Sequence, residues 1–310
     1  MKYRILGKSG LKVSVISLGT YQYGGSWGRE YTQKDVDSIF AAAEDAGINF
    51  LDTAECYGVD NHAERLIGNA IAGKRDKWLV ATKFGHERKE PQKNSPAWEV
   101  SQIKNQLETS LKLLKTDYID LYQFHSGPDE IFDNDEIWTM LDKEKAKGKI
   151  RHLGISLNRT KSDNEDYQTL NALKVGAQVI QLKYNRLERD AEKKILPAAE
   201  KLGLGVIVRV ALASGMLSGK YQNIDEFSSQ ESRAKKYKPE LIKKLQREIE
   251  DIIKNELPEN VLLSQYALAW ALSHPAVSCV IAGCKSAEQV RINAATADLD
   301  MMGKKHKFDI

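Results

Sequence analysis

Tyr118-Ile-Asp-Leu-Tyr-Gln-Phe-His125 decides the reading of the fold, because this largely apolar run does not alternate cleanly with polar residues and ends on an imidazole. A strand with one face in water alternates; a run that is apolar on both sides suits a strand covered on both faces, as in a parallel sheet. Seven other runs share this character: Val15–Leu18, Asn49–Thr53, Trp78–Lys83, Ile150–Ser156, Val179–Asn185, Gly205–Val210 and Ser278–Gly283. Between them the spacing becomes helical. Val36, Ile39, Phe40 and Ala43 make one apolar stripe, and Ile103, Leu107, Leu111 and Leu114 make another. Thr32 to Asp35 reads as a capping box, and Gly47 closes the first helix. Eight strand-then-helix units predict an α/β fold, a closed (β/α)8 TIM barrel rather than an open sheet.

Upstream of the first run, Lys2–Val13 reads as an N-terminal β-hairpin turning at Lys8-Ser-Gly10. A long connection follows the seventh strand. It carries Leu241, Ile242, Leu245, Ile249, Ile252 and Ile253 at helical spacing, and the Arg233–Lys238 cluster with Glu248–Glu256 reads as a solvated helical face. In a barrel, such a loop and helix insertion lies on the C-terminal rim, where the chemistry sits. No stretch rich in Pro, Gly or Ser interrupts the pattern, so residues 1–310 are expected to form one domain.

Composition agrees with a packed core, at 42% apolar and 29% charged residues. A net charge of +3 over 310 residues argues against a nucleic-acid binder. No run approaches the ~20 apolar residues that span a bilayer, and the start lacks the apolar core of a signal peptide. Three cysteines (Cys56, Cys279 and Cys284) form no disulfide framework, which suggests a reducing, cytoplasmic setting.

If the chain is a barrel, the last residues of its strands matter most. Three consecutive strands end in Asp52, Lys83 and His125, and Tyr57 follows Asp52 by five positions. A phenol titrates near 10, and a lysine ammonium nearby is expected to lower that by about 1–3 units. Asp52 would keep Lys83 charged and aimed. His125 can hydrogen-bond and orient a carbonyl oxygen. Such a set donates a proton without a metal or a covalent nucleophile, which suits hydride transfer to a carbonyl by a cofactor.

Over nearly its whole length the sequence resembles the aldo-keto reductases. The matching segments are Leu51-Asp-Thr-Ala-Glu-Cys-Tyr57-Gly, Ala81-Thr-Lys83-Phe-Gly, Leu121-Tyr-Gln-Phe-His125, Gly154-Ile-Ser156, Gln181-Leu-Lys-Tyr-Asn185 and Ile281 through Asn293. The resemblance implies NADP(H)-dependent interconversion of aldehydes or ketones with alcohols. Tyr57 would be the general acid, with Lys83, Asp52 and His125 completing a tetrad. It further implies that Lys285 and Ser286, after Gly283, hold the 2′-phosphate, with Gln289 and Asn293 near the adenine. A helix N-terminus opening at Ser286-Ala-Glu-Gln289, itself read as a capping box, suits a phosphate.

Ser156 and Gln181 match positions that bind the nicotinamide carboxamide. The chain has Ser156-Leu-Asn158 where the family has Ser-Asn, so Asn158 is the displaced counterpart. Arg209 stands where many relatives carry an aromatic ring; its guanidinium plane can stack too, but it adds charge beside an oxidised nicotinamide. Leu212, Ser214, Gly215, Leu217, Ser218 and Lys220 match the loop around the pyrophosphate, and Gly19-Thr20-Tyr21 another cofactor turn. Tyr23, Trp27 and Tyr57 are expected to line an apolar substrate mouth.

Other signals fail on context. Gly203-Leu-Gly205 precedes a strand rather than following one, and His62-Ala-Glu64 lacks the P-C-x-x-C of a zinc deaminase. Ser101 to Lys104 and Ser162 to Asn164 mimic parts of a β-lactamase set without its K-T-G element. Cys279 and Cys284 lack paired zinc ligands, so no metal is expected. Two other functions compete: a cofactor-binding sensor with slow turnover, and a Schiff-base aldolase or isomerase using Lys83. Lys83 and His125 together argue against the first, and the Asp52–Tyr57 spacing against the second.

Overall fold

The computed structural model describes the whole chain except residues 27, 91–92, 159–165, 222–226, 228–232 and 300–310. Its strands are β1 (Tyr3–Ile5), β2 (Lys12–Ser14), β3 (Ile16–Gly19), β4 (Phe50–Asp52), β5 (Leu79–Phe84), β6 (His86–Glu90), β7 (Lys93–Pro96), β8 (Ile119–His125), β9 (Ile150–Ser156), β10 (Ala177–Lys183), β11 (Gly205–Arg209) and β12 (Cys279–Gly283). The order β10-β11-β12-β3-β4-β5-β8-β9 closes on itself as a parallel barrel. All eight expected strands are present, within a few residues of the predicted bounds. The tenth strand starts earlier than expected and stops at Lys183; Asn185 leaves the ladder and bridges back to Glu188.

Strand periodicity sorts the lumen into layers. Phe50, Ala81, Leu121, Val179, Ile207 and Cys279 pack together inside, with Leu6 and Val13 of the N-terminal hairpin plugging the floor. Two residues further along the same strands, on the same side of the pleat, stand Asp52, Lys83, Gln123, Gln181 and Arg209. The lumen therefore changes from apolar to polar over one repeat. The plug seats closely: Gly7, at φ +50°, pairs with Leu204, and a Cβ there would lie 2.0 Å from the Gly205 nitrogen. Only glycine fits.

Outside the strands the stripes behave as read. Val36, Ile39, Phe40 and Ala43 are buried on the helix Gln33–Asp45, whose N-terminus carries the Thr32–Asp35 capping box. Ile103, Leu107, Leu111 and Leu114 are buried on the helix Val100–Leu114. The β6–β7 hairpin was not anticipated, because its strands are charged and largely exposed and carry no apolar alternation. Between β11 and β12 lie a turn at Ala213–Ser218 and the helices Arg233–Lys236, Pro239–Asn255 and Leu263–Ser273. Here the solvated-face reading is corrected at two positions: Arg233 is only 4% exposed and Tyr237 3%. Arg233 donates to the Ser214 carbonyl and packs its guanidinium on Tyr221 and Phe227, while Tyr237 donates to the Ala213 carbonyl. Leu241, read as part of the apolar stripe, is exposed. No helix among the described residues is long and apolar enough to cross a membrane.

One buried carboxyl sits behind the barrel wall. Glu64 is fully buried and accepts from Thr82 Oγ1 at 2.6 Å, Ser110 Oγ at 3.1 Å and Asn61 Nδ2 at 2.9 Å. Burial outweighs these three neutral donors and pushes its carboxyl above the usual range. A group raised on folding contributes stability below its unfolded pKa, and that contribution fades as pH rises through the folded one. Wild type should therefore lose stability relative to Glu64→Gln as pH rises above about 4.5, the usual carboxylate value. Urea unfolding of both proteins between pH 4 and 8 checks this; parallel curves would contradict it.

Candidate active site

Lys83 is fully buried, and its ammonium has three hydrogens to place. It donates to Asp52 Oδ2 at 2.7 Å, to the Thr53 carbonyl at 2.6 Å and to Tyr57 Oη at 3.4 Å. The other Asp52 oxygen accepts from Gln181 Nε2 at 2.6 Å and Gln123 Nε2 at 3.1 Å. A buried ion pair is sustained only when its remaining lone pairs and protons are met, and here they are. Gln123 had no predicted role, and Gln181 was expected only at the cofactor. Their signal was positional: each lies two residues past an apolar lumen residue, Leu121 and Val179.

Tyr57 lies beyond β4, where a hydrogen bond from its N–H to the Ala54 carbonyl turns the chain back over the lumen. Its ring meets Tyr21 edge-on at 5.1 Å and His125 at 6.3 Å. The expected lowering of its pKa is corrected. Burial and the Asp52 charge push Tyr57 well above the ordinary phenol value, with Arg209 acting in the opposite sense. The physical reason is first that the phenol is buried away from water, and second that it faces the Asp52 charge, while Lys83 is held by Asp52 at 2.7 Å and its contact with Tyr57 is the longest of its three. Tyr57 is thus a protonated phenol, the form an acid requires.

His125 ends β8. Its Nδ1 lies 3.1 and 3.3 Å from the two Glu55 carboxylate oxygens and 3.8 Å from Cys56 Sγ. Burial pushes the imidazole below its ordinary value; Glu55 opposes this, and Lys83 and His86 add to it. Glu55 is only 2% exposed. Burial alone would raise its carboxyl, but His125, with His86 and Lys83, holds it below the usual range. Glu55 Oε, Cys56 Sγ and His125 Nδ1 all lie within 4.8 Å of one another, a grouping that the sequence reading missed.

The positions singled out for a cofactor lie on the barrel strands or in the segments that follow them. Gly19 ends β3; the Thr20 hydroxyl donates to the Asp52 carbonyl at 2.9 Å, so it clamps β4, and Tyr21 faces Tyr57. Ser156 ends β9 opposite Gln181 of β10, with its Oγ 3.4 Å from Gln181 Oε1, and Asn158 lies exposed just beyond. Arg209 ends β11 and reaches the Leu157 carbonyl at 3.0 Å. In the Ala213–Ser218 turn, Ser214 (φ +56°) and Gly215 (φ +102°) take positive φ, which breaks the helical course there. Leu212 packs on the core, Leu217 is fully buried, and Ser218 Oγ accepts from the N–H of exposed Lys220.

At the last helix, Ala287–Ala295, the Ser286 hydroxyl accepts from the Gln289 N–H at 3.3 Å. The reciprocal half differs from the expected box, because Gln289 Oε1 accepts from the Lys285 N–H instead, at 2.8 Å. Asn293 is buried and donates to Cys284 Sγ at 3.3 Å. Gln22 was missed; its amide donates to the Gly19 and Cys284 carbonyls, both at 2.9 Å, tying β3 to the end of β12. Tyr23 is the clear error among the substrate residues. The short turn Tyr21–Gly24 points it inward, where it is fully buried against Tyr31 at 5.2 Å, so it cannot line a mouth. Trp27 lies outside the described residues.

A closed parallel barrel that gathers an acid, an amine, an imidazole and a phenol on one rim defines a class of barrel enzymes, and sequence comparison agrees. The profile of the Aldo/keto reductase family matches residues 15–306, so the chain belongs to that family of oxidoreductases, whose members use nicotinamide cofactors. In particular, the chain is similar to the "Uncharacterized oxidoreductase YrpG" of Bacillus subtilis (strain 168), at 34% identity over 97% of this chain and 93% of that protein. Among solved structures it resembles the glycerol dehydrogenase AKR11B4 from Gluconobacter oxydans (TM-score 0.81, 29% identity, 95% and 89% of the two chains). It also resembles the holo form of aldo-keto reductase AKR11C1 from Bacillus halodurans (TM-score 0.77, 28% identity, 96% and 91%).

Proposed function

We propose that the protein is an NADP(H)-dependent oxidoreductase that reduces aldehydes or ketones to alcohols, or runs the reverse, with Tyr57 as general acid. The observation that carries this reading is the Lys83 ammonium joined to Asp52, Thr53 and Tyr57 at the polar end of the lumen. The rim residues suit a nicotinamide dinucleotide: Ser286 caps the N-terminus of the helix Ala287–Ala295 directly after Lys285, a setting that favours a phosphate, and the proposed pyrophosphate loop needs glycine at Gly215, where a Cβ would lie 3.0 Å from Tyr221 and 3.1 Å from Arg233. When bound, that cofactor supplies the hydride.

This chain's residues do the rest. Tyr57 gives its proton to the substrate oxygen as negative charge develops there. Lys83, held by Asp52, donates to the Tyr57 oxygen and keeps that hydrogen bond as the proton leaves. His125 orients the substrate oxygen. Ser156, Asn158 and Gln181 would hold the carboxamide, and Arg209 would stack on the nicotinamide. Leu212, Ser214, Gly215, Leu217, Ser218 and Lys220 form the pyrophosphate loop, with Gly19, Thr20, Tyr21 and Gly283 shaping the turns beneath. Lys285 and Ser286 would take the 2′-phosphate, and Gln289 and Asn293 would border the adenine. The chain works as one domain over residues 1–310, in the cytoplasm, on a small carbonyl or alcohol substrate.

The test follows NADPH consumption across a panel of aldehydes, ketones and sugars, with NADH as control. Lys285→Ala should reduce the preference for NADPH by about 10–100-fold, the loss of a charge-assisted hydrogen bond of about 1.5–3 kcal/mol. Failure of both cofactors to bind would overturn the reading.

A further inference from the structure

The tetrad leaves one ionised group unused. Glu55 lies between the rim and the β6–β7 hairpin, and both its oxygens face His125 Nδ1, at 3.1 and 3.3 Å. Oε1 also accepts from the His86 backbone N–H at 3.0 Å. His86 in turn places its Nε2 2.8 Å from the His125 carbonyl and its ring edge-on to the imidazole at 5.1 Å. Gln106 fixes this segment through the Gly85 N–H and the His86 carbonyl, both at 2.9 Å. A buried carboxylate is thus set rigidly against one nitrogen of the imidazole, and nothing in the proton transfer from Tyr57 requires it.

We propose that Glu55 is a positioning residue, whose carboxylate fixes the His125 tautomer carrying hydrogen on Nδ1 and sets the ring so that Nε2 meets the substrate oxygen. The proposal rests on the reading of His125 as a substrate-orienting group. In a neutral imidazole one nitrogen donates and the other accepts, and the partner of one decides the role of the other. A carboxylate can only accept, so it selects hydrogen on Nδ1. Nε2 then carries the lone pair and accepts from a substrate hydroxyl. Once the Glu55–His125 pair takes up a proton, Nε2 becomes a donor that fits a carbonyl oxygen. The charged and titratable groups facing the imidazole are Glu55, Cys56 and Tyr57 from the β4 loop and Lys83 and His86 from β5 and β6. Carbonyl reduction should accordingly be favoured on the acid side of the pair's titration and alcohol oxidation on the alkaline side.

Long-range proton–nitrogen NMR of the imidazoles reads the tautomer directly, without substrate. One signal set, identified by its loss in His125→Asn, should show Nδ1 protonated and Nε2 bare at neutral pH in wild type. In Glu55→Gln that preference should be lost, and in Glu55→Asp it should largely remain. Glu55→Gln should also lower kcat by about 10–100-fold with KM little changed, and shift the pH profile of reduction. An unchanged tautomer in Glu55→Gln, whether or not the fold is weakened, would overturn the proposal. So would an unchanged pH profile. If wild type itself reduced no carbonyl, the functional reading would fail instead, while the tautomer result would stand.

Discussion

Tyr57→Phe is expected to lower kcat/KM for carbonyl reduction by about 10²–10⁴-fold while leaving cofactor affinity unchanged. The substitution removes a single oxygen. The ring's packing on Tyr21 at 5.1 Å and beside His125 remains, so the pocket keeps its shape. What is lost is the only hydroxyl within hydrogen-bond distance of Lys83 Nζ among the described residues. Because the loss falls on the transition state rather than on binding, kcat should drop and KM should move little. Steady-state rates with the best substrate of the panel, beside cofactor titrations by fluorescence, check both halves. A fall of less than tenfold would remove Tyr57 from the acid role.

Lys83→Met should cost about 3–5 kcal/mol of stability as well as activity. Asp52 is 2% exposed, and without Lys83 it would keep only the amides of Gln123 and Gln181 around a buried negative charge. Removing one partner of a buried pair is more damaging than removing both, because the survivor is left uncompensated. The double variant Lys83→Met/Asp52→Asn should therefore recover part of the loss, although both single changes destabilise. Urea unfolding of the four proteins gives the coupling energy. Additive losses would mean that the ion pair is not coupled as its 2.7 Å separation requires.

Much of this was legible in the residues themselves. Strands buried on both faces show as unbroken apolar runs, and helix stripes such as Ile103 to Leu114 show as their spacing; both depend only on local pattern. Asp52, Lys83 and His125 were legible because strand ends in a barrel point to one place. Glu55 and Gln123 were not, because their partners come from other strands: His125 is 70 residues from Glu55, and Asp52 is 71 from Gln123. Tyr23 misled because polarity and position in a rim loop do not reveal which way a short turn points a ring. Arg233 misled because a basic cluster beside a helix usually faces water, and only the Tyr221 and Phe227 rings show why this member does not. The Tyr57 titration was misjudged because the argument paired the phenol with Lys83 alone, leaving out its burial, the largest effect, and treating Asp52 only as a partner of Lys83.

Asp52 receives hydrogen bonds from side chains on β5, β8 and β10, three of the eight staves of the barrel. A one-residue slip of any of these strands would turn its contact outward and leave a buried carboxylate short of a partner. The charge on which the chemistry depends thus also audits strand alignment, since a misassembled barrel would be penalised at its mouth. Around this carboxylate, foldability and turnover are subject to one and the same constraint.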